Sequence, residues 1–260
     1  MMPQLITAMN LDYWTEHFRR NAEDRPEPDW NAPISLRGRA LAKLVKSLQQ
    51  FQLGDGGGPA YLIAWNHKRL LASDVGLKAL VDLWFAEERE HSRLLGYALR
   101  RFFAPEIQQH WSFSLFCGVR KFAGVQFELS ALLLTEIVSH VYYKMLRKHV
   151  SDEAVRGMCA LIIRDEAGHI AFHRARLAAE NRPFGRRWEA VFRLRGLVAG
   201  TVLWMNHRGA LRAAGATDAE FYRGIWHGMD AFVRGLRGDL ERVRAGATMK
   251  PCAQVVAECA

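Results

Sequence analysis

Two Glu-x-x-His motifs contain the residues of this chain best suited to chemistry. Glu88 and His91 form one motif, and Glu166 and His169 form the other. In a helix, residues three apart lie on nearly the same face, so each motif presents one carboxylate and one imidazole in one direction. Both motifs interrupt stripes of apolar residues at helical spacing, which predicts that they are buried. A buried charge is costly unless it is neutralised, paired or bound to a metal.

The positions of the two motifs indicate an internal repeat of helical hairpins. Ser73 and Ser151 are each followed by Asp, as in a typical helix N-cap, and each precedes its motif glutamate by 15 residues. In an antiparallel hairpin, a residue 15 positions before the turn faces one 15 positions after it. Counting back from Ser151 gives Glu136, whereas counting back from Ser73 gives Gly58. The acid nearest to Gly58 is Asp55, which shares its helical face.

Two Glu-x-x-His helices, each paired with a helix that carries an inward glutamate, resemble the ferritin-like di-iron carboxylate proteins. The segment 136–169 resembles the second half-motif of the di-iron aminoarene N-oxygenases, and residues 86–91 resemble the motif region of soluble acyl-carrier-protein desaturases. The resemblance extends over residues 35–180. It implies five metal ligands, which are Glu88, His91, Glu136, Glu166 and His169.

The chain departs from the resemblance at two positions. Gly58 stands where the family has its first glutamate. Asp55 replaces it if the neighbouring glycines let the backbone bend; otherwise a coordination position is left to water or substrate. The N-oxygenases have an extra histidine ligand, and its position is Ile162 here. His140 and His173 are each one turn from a site residue, and two interpretations are open for them. Either one of them is an additional ligand, or both are hydrogen-bonded core histidines.

An acid directly precedes each motif glutamate. In the similar proteins, such an acid hydrogen-bonds a ligand histidine on the other motif helix, which fixes its tautomer and raises its basicity. The resemblance therefore pairs Asp165 with His91 and Glu87 with His169. The alternative is that both acids are solvated surface residues.

The predicted fold is all-α, a ferritin-like four-helix bundle with additional N- and C-terminal helices, because no segment of any length alternates as a strand does. We expect helices over 10–20, 73–103, 114–149 and 151–181, and a glycine-rich interruption followed by a helix restarting at Pro59. The predicted divisions are an N-terminal extension with a short helix (1–34), the di-metal bundle (35–182), a helical pair packed on it (183–245) and a loose tail (246–260).

Composition favours a cytoplasmic globular protein. Half of the 260 residues are hydrophobic, and the net charge is +9 without a compact Lys/Arg run, so we expect no nucleic-acid partner. The four cysteines form no Cys-x-x-Cys motif, as is typical of a reducing cytosol. No signal peptide is recognisable. The longest apolar run, 196–205, is ten residues, which is too short for an integral membrane segment.

From these features the sequence predicts a di-iron or di-metal carboxylate protein that acts as an O2-activating oxidoreductase on a small organic substrate. The expected cofactor is iron, two ions, with manganese in place of one as a variant. The electron donor and the catalytic residues are not assigned, and a homodimer is left open. Two alternatives stand beside this hypothesis. One is a metal-binding non-oxygenase protein for storage, peroxide scavenging or a single metal; the other is a metal-free helical scaffold with a degenerate site.

Overall fold

The computed structural model describes residues 9–57, 61–181 and 184–245, and every regular element in these ranges is helical. The all-α prediction is therefore confirmed. The elements are α1 (Leu11–Glu23), α2 (Gly38–Gln52), a π-helical turn (Leu53–Gly57), α3 (His67–Leu71), α4 (Val75–Arg101), α5 (Trp111–Phe122), α6 (Val125–His149), α7 (Glu153–Ala179), α8 (Arg186–Ala214) and α9 (Asp218–Arg244).

The long helices begin where side-chain caps satisfy the first backbone N–H groups. The aspartates of the two Ser-Asp pairs are the caps: Asp74 accepts from the Leu77 N–H at 3.1 Å, and Asp152 caps α7 in the same way. Thr217 caps α9 by accepting from the Glu220 N–H at 3.2 Å. The caps of the motif helices thus lie one residue after Ser73 and Ser151, and the helices start two residues after these serines.

Two sequence predictions about helices are wrong. The helix predicted over 114–149 is two helices, α5 and α6, because Gly124 adopts φ 81° between them, a conformation that only glycine takes without strain. The helix predicted to restart at Pro59 does not extend over the described residues 61–66, which are irregular. Trp65 in this segment is largely exposed. Pro59 itself, Gly58 and the predicted tail 246–260 lie outside the described residues.

The helices that carry the motifs are held by their neighbours in the chain and by each other. Helix α2 packs on α4, α6 packs on α7, and α4 packs on α7. Helix α1 lies along α4, while α8 and α9 pack together and against α6. In the described part of the chain, no helix is both long enough and apolar enough to cross a bilayer.

Two apolar clusters fill the interior, and the motif residues lie between them. On α4, Leu80 and Trp84 belong to the cluster next to α1, whereas Leu94 and Leu95 belong to the cluster next to α8 and α9. Glu88 and the buried His91 fall between these two groups. Helix α7 has the reverse order: Val155 and Ile162 belong to the cluster next to α8 and α9, and Phe172 belongs to the cluster next to α1. A layer of carboxylates and imidazoles therefore crosses an otherwise apolar core.

Candidate metal centre

The structure brings the carboxylates and imidazoles of both motifs to one depth in the core. The His169 Nδ1 atom lies 3.0 Å from Glu88 Oε1 and 3.2 Å from Glu136 Oε2. Glu88, Glu136 and His169 each offer one ligand atom, and these atoms all lie within 4.8 Å of one another. Three helices, α4, α6 and α7, supply these groups, so the cluster exists only when the helices are packed.

His91 and Glu166 border the same cluster at longer distances. The His91 Nδ1 atom is 3.8 Å from Glu88 Oε2, and Glu166 Oε2 is 3.9 Å from His169 Nδ1. The Ser139 hydroxyl donates to Glu166 Oε1 at 3.1 Å, which holds this carboxylate on the α6 side of α7. All five predicted ligands are therefore neighbours, and each imidazole turns its Nδ1 atom toward the carboxylates.

The outer nitrogens of both histidines contact the acids that precede the motif glutamates. His91 Nε2 lies 3.2 Å from Asp165 Oδ2, and His169 Nε2 lies 2.9 Å from Glu87 Oε2. Both acids are buried, so they are not solvated surface residues. A carboxylate at Nε2 holds a proton on that nitrogen, so Nδ1 is the nitrogen that would bind a metal after releasing its own proton.

Arg25 joins the two outer acids from outside, and sequence reasoning missed it. Its Nη1 atom forms an ion pair with Asp165 Oδ2 at 2.7 Å, and its Nη2 atom donates to Glu87 Oε1 at 3.4 Å. The side chain is only 8% exposed. Arg25 lies in the irregular segment after α1, where no periodic pattern shows which way a side chain points. The only available signal was a basic residue close to a run of prolines.

Asp55 enters the site from the π-helical turn that ends α2. Tyr143 on α6 donates its hydroxyl to Asp55 Oδ2 at 3.1 Å. Burial, and next the negative charge of Glu88, raise the pKa of Asp55 to about 8. The wider π turn is a local insertion that re-aims side chains, and such turns are frequent at functional sites. Asp55 thus faces Glu88 and Glu136, while Gly58 is outside the described residues.

The two further histidines are buried, but neither belongs to the group of ligand atoms around His169. His173 lies edge-on against the Trp84 ring at 5.0 Å, and burial lowers its pKa well below the ordinary value, so its imidazole is neutral. His140 is buried on α6. The structure therefore places both in the core around the cluster, and among the described residues neither completes the group formed by Glu88, Glu136 and His169.

In the cluster, protonated imidazoles lie next to carboxylates. Burial alone would lower the pKa of His91, but Asp165 and then Glu88 raise it to about 10. For Glu166, burial and the neighbouring Glu136 carboxylate raise the pKa well above its ordinary value. Protons thus provide the positive charge that these close carboxylates need. A divalent cation compensates the same carboxylates and displaces such protons when it binds.

A cavity of about 400 Å³ opens onto the cluster. Asp55, Glu88, Glu136 and Glu166 line its inner end. Most of the rest of its wall is apolar and comes from α5, α6 and α8, with residues such as Phe113, Phe116, Leu132, Leu134, Val138 and Leu203. Its size and lining are those of a small-molecule site.

In comparisons with known proteins, no family model, no curated protein and no solved structure matches this chain.

Proposed function

We propose that this chain is a ferritin-like di-metal carboxylate protein that binds two iron ions and oxidises a small organic substrate with O2. The support is the arrangement of four packed helices, α2, α4, α6 and α7. Two of them carry a Glu-x-x-His motif, and the other two direct one acid each toward the motifs. This is the ligand pattern of di-iron carboxylate bundles, with Asp55 in place of one glutamate.

The observation that carries the proposal is that two inward-facing ligand atoms lack a hydrogen-bond partner. His91 Nδ1 and Glu166 Oε2 are buried and make no hydrogen bond within the described part of the chain. A buried polar atom without a partner costs about 1–3 kcal/mol, so such atoms need an explanation. A metal ion in contact with them satisfies both. Oxygen donors from carboxylates combined with imidazole nitrogens suit iron.

Each protein group has a defined part in such a site. Glu88 and His91 would hold one ion, Glu166 and His169 the other, and Glu136 would bridge them. Asp55 would supply the fourth carboxylate, and the hydroxyl that Tyr143 donates to it stabilises its charged form. Asp165 and Glu87 orient the imidazoles. Bound iron would supply the redox chemistry by which O2 is reduced and the substrate is oxidised.

The cavity suggests the kind of substrate. Its apolar wall excludes water from the cluster and favours an uncharged, largely apolar molecule, because burying an unpaired charge there is costly. The four carboxyl groups at its inner end leave room for a substrate to approach the metals from the α5 and α8 side.

Anaerobic titration with iron(II), followed by elemental analysis, tests the proposal. We expect about two ions per wild-type chain, and O2 consumption by the loaded protein. Glu136→Gln and Glu166→Gln should each lower the iron content. Glu189→Gln is the matched control, because Glu189 is a buried acid on α8 that pairs with Arg237 outside the cluster. Unchanged iron content in both site variants would refute the proposal.

A single-metal or peroxide-scavenging protein is the second candidate. It is favoured by the fact that only Glu88, Glu136 and His169, among the described residues, place ligand atoms within 4.8 Å of one another. A stoichiometry near one ion per chain, unaffected by Asp55→Asn, would support this candidate. So would turnover of peroxide without an organic substrate.

A further inference from the structure

Helix α5 is apolar on two opposite sides. Phe113 and Phe116 face inward and line the cavity. On the other side, four large side chains are between 46 and 78% exposed: Trp111, Leu115, Val119 and Phe122. A surface helix of a globular protein normally turns polar residues to water, so a helix that is apolar all round is one that is covered. The exposed apolar residues on the outer side of α5 are therefore unusual for a helix face that water covers.

Helix α8 carries a second exposed apolar stripe. Its members are 40 to 67% exposed and follow one another at three- and four-residue intervals: Val191, Leu194, Val198, Val202 and Met205. Gly196 and Gly200 pack against α9, so the stripe, two positions away in the helix, points to the opposite side. Val202 also lines the cavity, which places the stripe beside the cavity wall.

The exposed charges within the two segments that carry these faces have one sign. Over 111–135 and 184–214, all of which the structure describes, the only acids are Glu128 and Glu189, and both are buried. Glu128 is neutralised by Arg120 at 2.9 Å, and Glu189 by Arg237. The exposed charged residues in these segments are basic, and they include Lys121, Arg187 and Arg195. Two acids of α9 reach this region, where Asp230 pairs with Arg193 and Asp218 pairs with Arg212. The segments that carry the apolar faces themselves expose basic residues and no acid.

We propose that the outer faces of α5 and α8 form a docking surface for an anionic lipid bilayer. Large apolar side chains enter the boundary between headgroups and acyl chains, while lysine and arginine contact anionic headgroups. An exposed apolar surface needs a covering partner. A second copy of this chain fits less well, because a symmetric interface would bring the same basic residues together.

The position of the cavity suggests that the substrate enters from the docking surface. This part of the inference rests on the proposed function. Helices α5 and α8 both line the cavity, so the space that leads to Glu88 and Glu136 lies between the two helices of the surface. An apolar molecule dissolved in the bilayer would enter there without crossing water. The binding of lipid itself requires no metal, and it can be measured on the metal-free protein.

Co-flotation with vesicles tests the proposal. The metal-free full chain should bind vesicles of phosphatidylcholine mixed with phosphatidylglycerol, and bind vesicles of phosphatidylcholine alone far more weakly. Added salt should weaken the binding. Leu194→Glu and Phe122→Glu should each reduce it about tenfold, because an inserted apolar side chain becomes a repelled charge. Trp226→Glu is the matched control, since Trp226 is 47% exposed on α9 and outside the surface; it should bind as wild type does.

Three results would overturn the proposal. The first is equal binding of neutral and anionic vesicles, or of neither. The second is equal loss of binding in Leu194→Glu, Phe122→Glu and Trp226→Glu. The third is a dimer in sedimentation experiments that Leu194→Glu or Phe122→Glu dissociates, because a second copy then covers the surface. The iron titration is a separate measurement, so a failure of lipid binding and a failure of the metal proposal are distinguishable.

Discussion

Replacing Arg25 by methionine tests whether the N-terminal segment stabilises the outer acids of the site. The substitution keeps most of the side-chain volume and removes the charge that faces Asp165 at 2.7 Å and Glu87 at 3.4 Å. Removing one partner of a buried ion pair costs about 3–5 kcal/mol, because the remaining charge stays buried. Asp165 retains Arg164 Nε at 3.2 Å, and Glu87 retains His169 at 2.9 Å. We therefore expect the lower end of this range, about 3 kcal/mol.

Urea unfolding of the metal-free protein, followed by far-UV circular dichroism, measures this loss. Arg20→Met is the matched control, because Arg20 is an exposed arginine of the same extension that pairs with Glu16. An exposed pair contributes little, so the control should change the free energy of unfolding by less than about 1 kcal/mol.

Double-mutant cycles identify which of the two acids is the main partner of Arg25. We expect a larger coupling energy between Arg25 and Asp165 than between Arg25 and Glu87, since the first contact is shorter. The reasoning is refuted if Arg25→Met costs no more than Arg20→Met. It is also refuted if Asp165→Asn destabilises the Arg25→Met variant as much as it does the wild type, because the two residues then act independently.

Three further changes probe the supports of the site. Gly168→Ala would place Cβ 2.6 Å from His17 Nε2. Displacing the tip of the His17 side chain should cost about 1 kcal/mol of stability and speed amide exchange in α1. Unchanged exchange would contradict this. Thr217→Ala should cost about 1 kcal/mol through loss of the α9 cap, and Thr217→Ser much less, by urea unfolding. Burial lowers the pKa of His207 to about 3, so its contribution to stability is lost as the pH falls below about 6.5. His207→Gln should therefore reduce the slope of unfolding free energy against pH in this range by about 1.4 kcal/mol per pH unit. An unchanged slope would contradict this.

Periodicity in the sequence determined the depth of the motif residues. Apolar stripes with 3.6-residue spacing place Glu88, His91, Glu166 and His169 inside their helices, and the common distance from each helix start places them at one level. The contacts of Asp165 with His91 and of Glu87 with His169 are present as expected. Whether these groups hold metal stays a prediction, which the iron titration tests.

Features without a periodic pattern were decided only by tertiary structure. Arg25 lies in an irregular segment, and its direction depends on how α1 packs on α4 and α7. Asp55 reaches Tyr143 because α2 ends in a π turn, which the run of glycines permitted but did not specify. The break at Gly124 separates α5 from α6 and lets α5 cover the cavity.

The sequence alone therefore determined that the motif faces of α4 and α7 are buried and which acids and imidazoles share a level, because helical geometry is local. Tertiary packing decided which atoms meet across helices, such as Arg25 with Asp165 and Asp55 with Tyr143, and which apolar faces stay open to solvent. These outcomes depend on contacts between residues far apart in the chain, and a repeat of three or four residues carries no information about them.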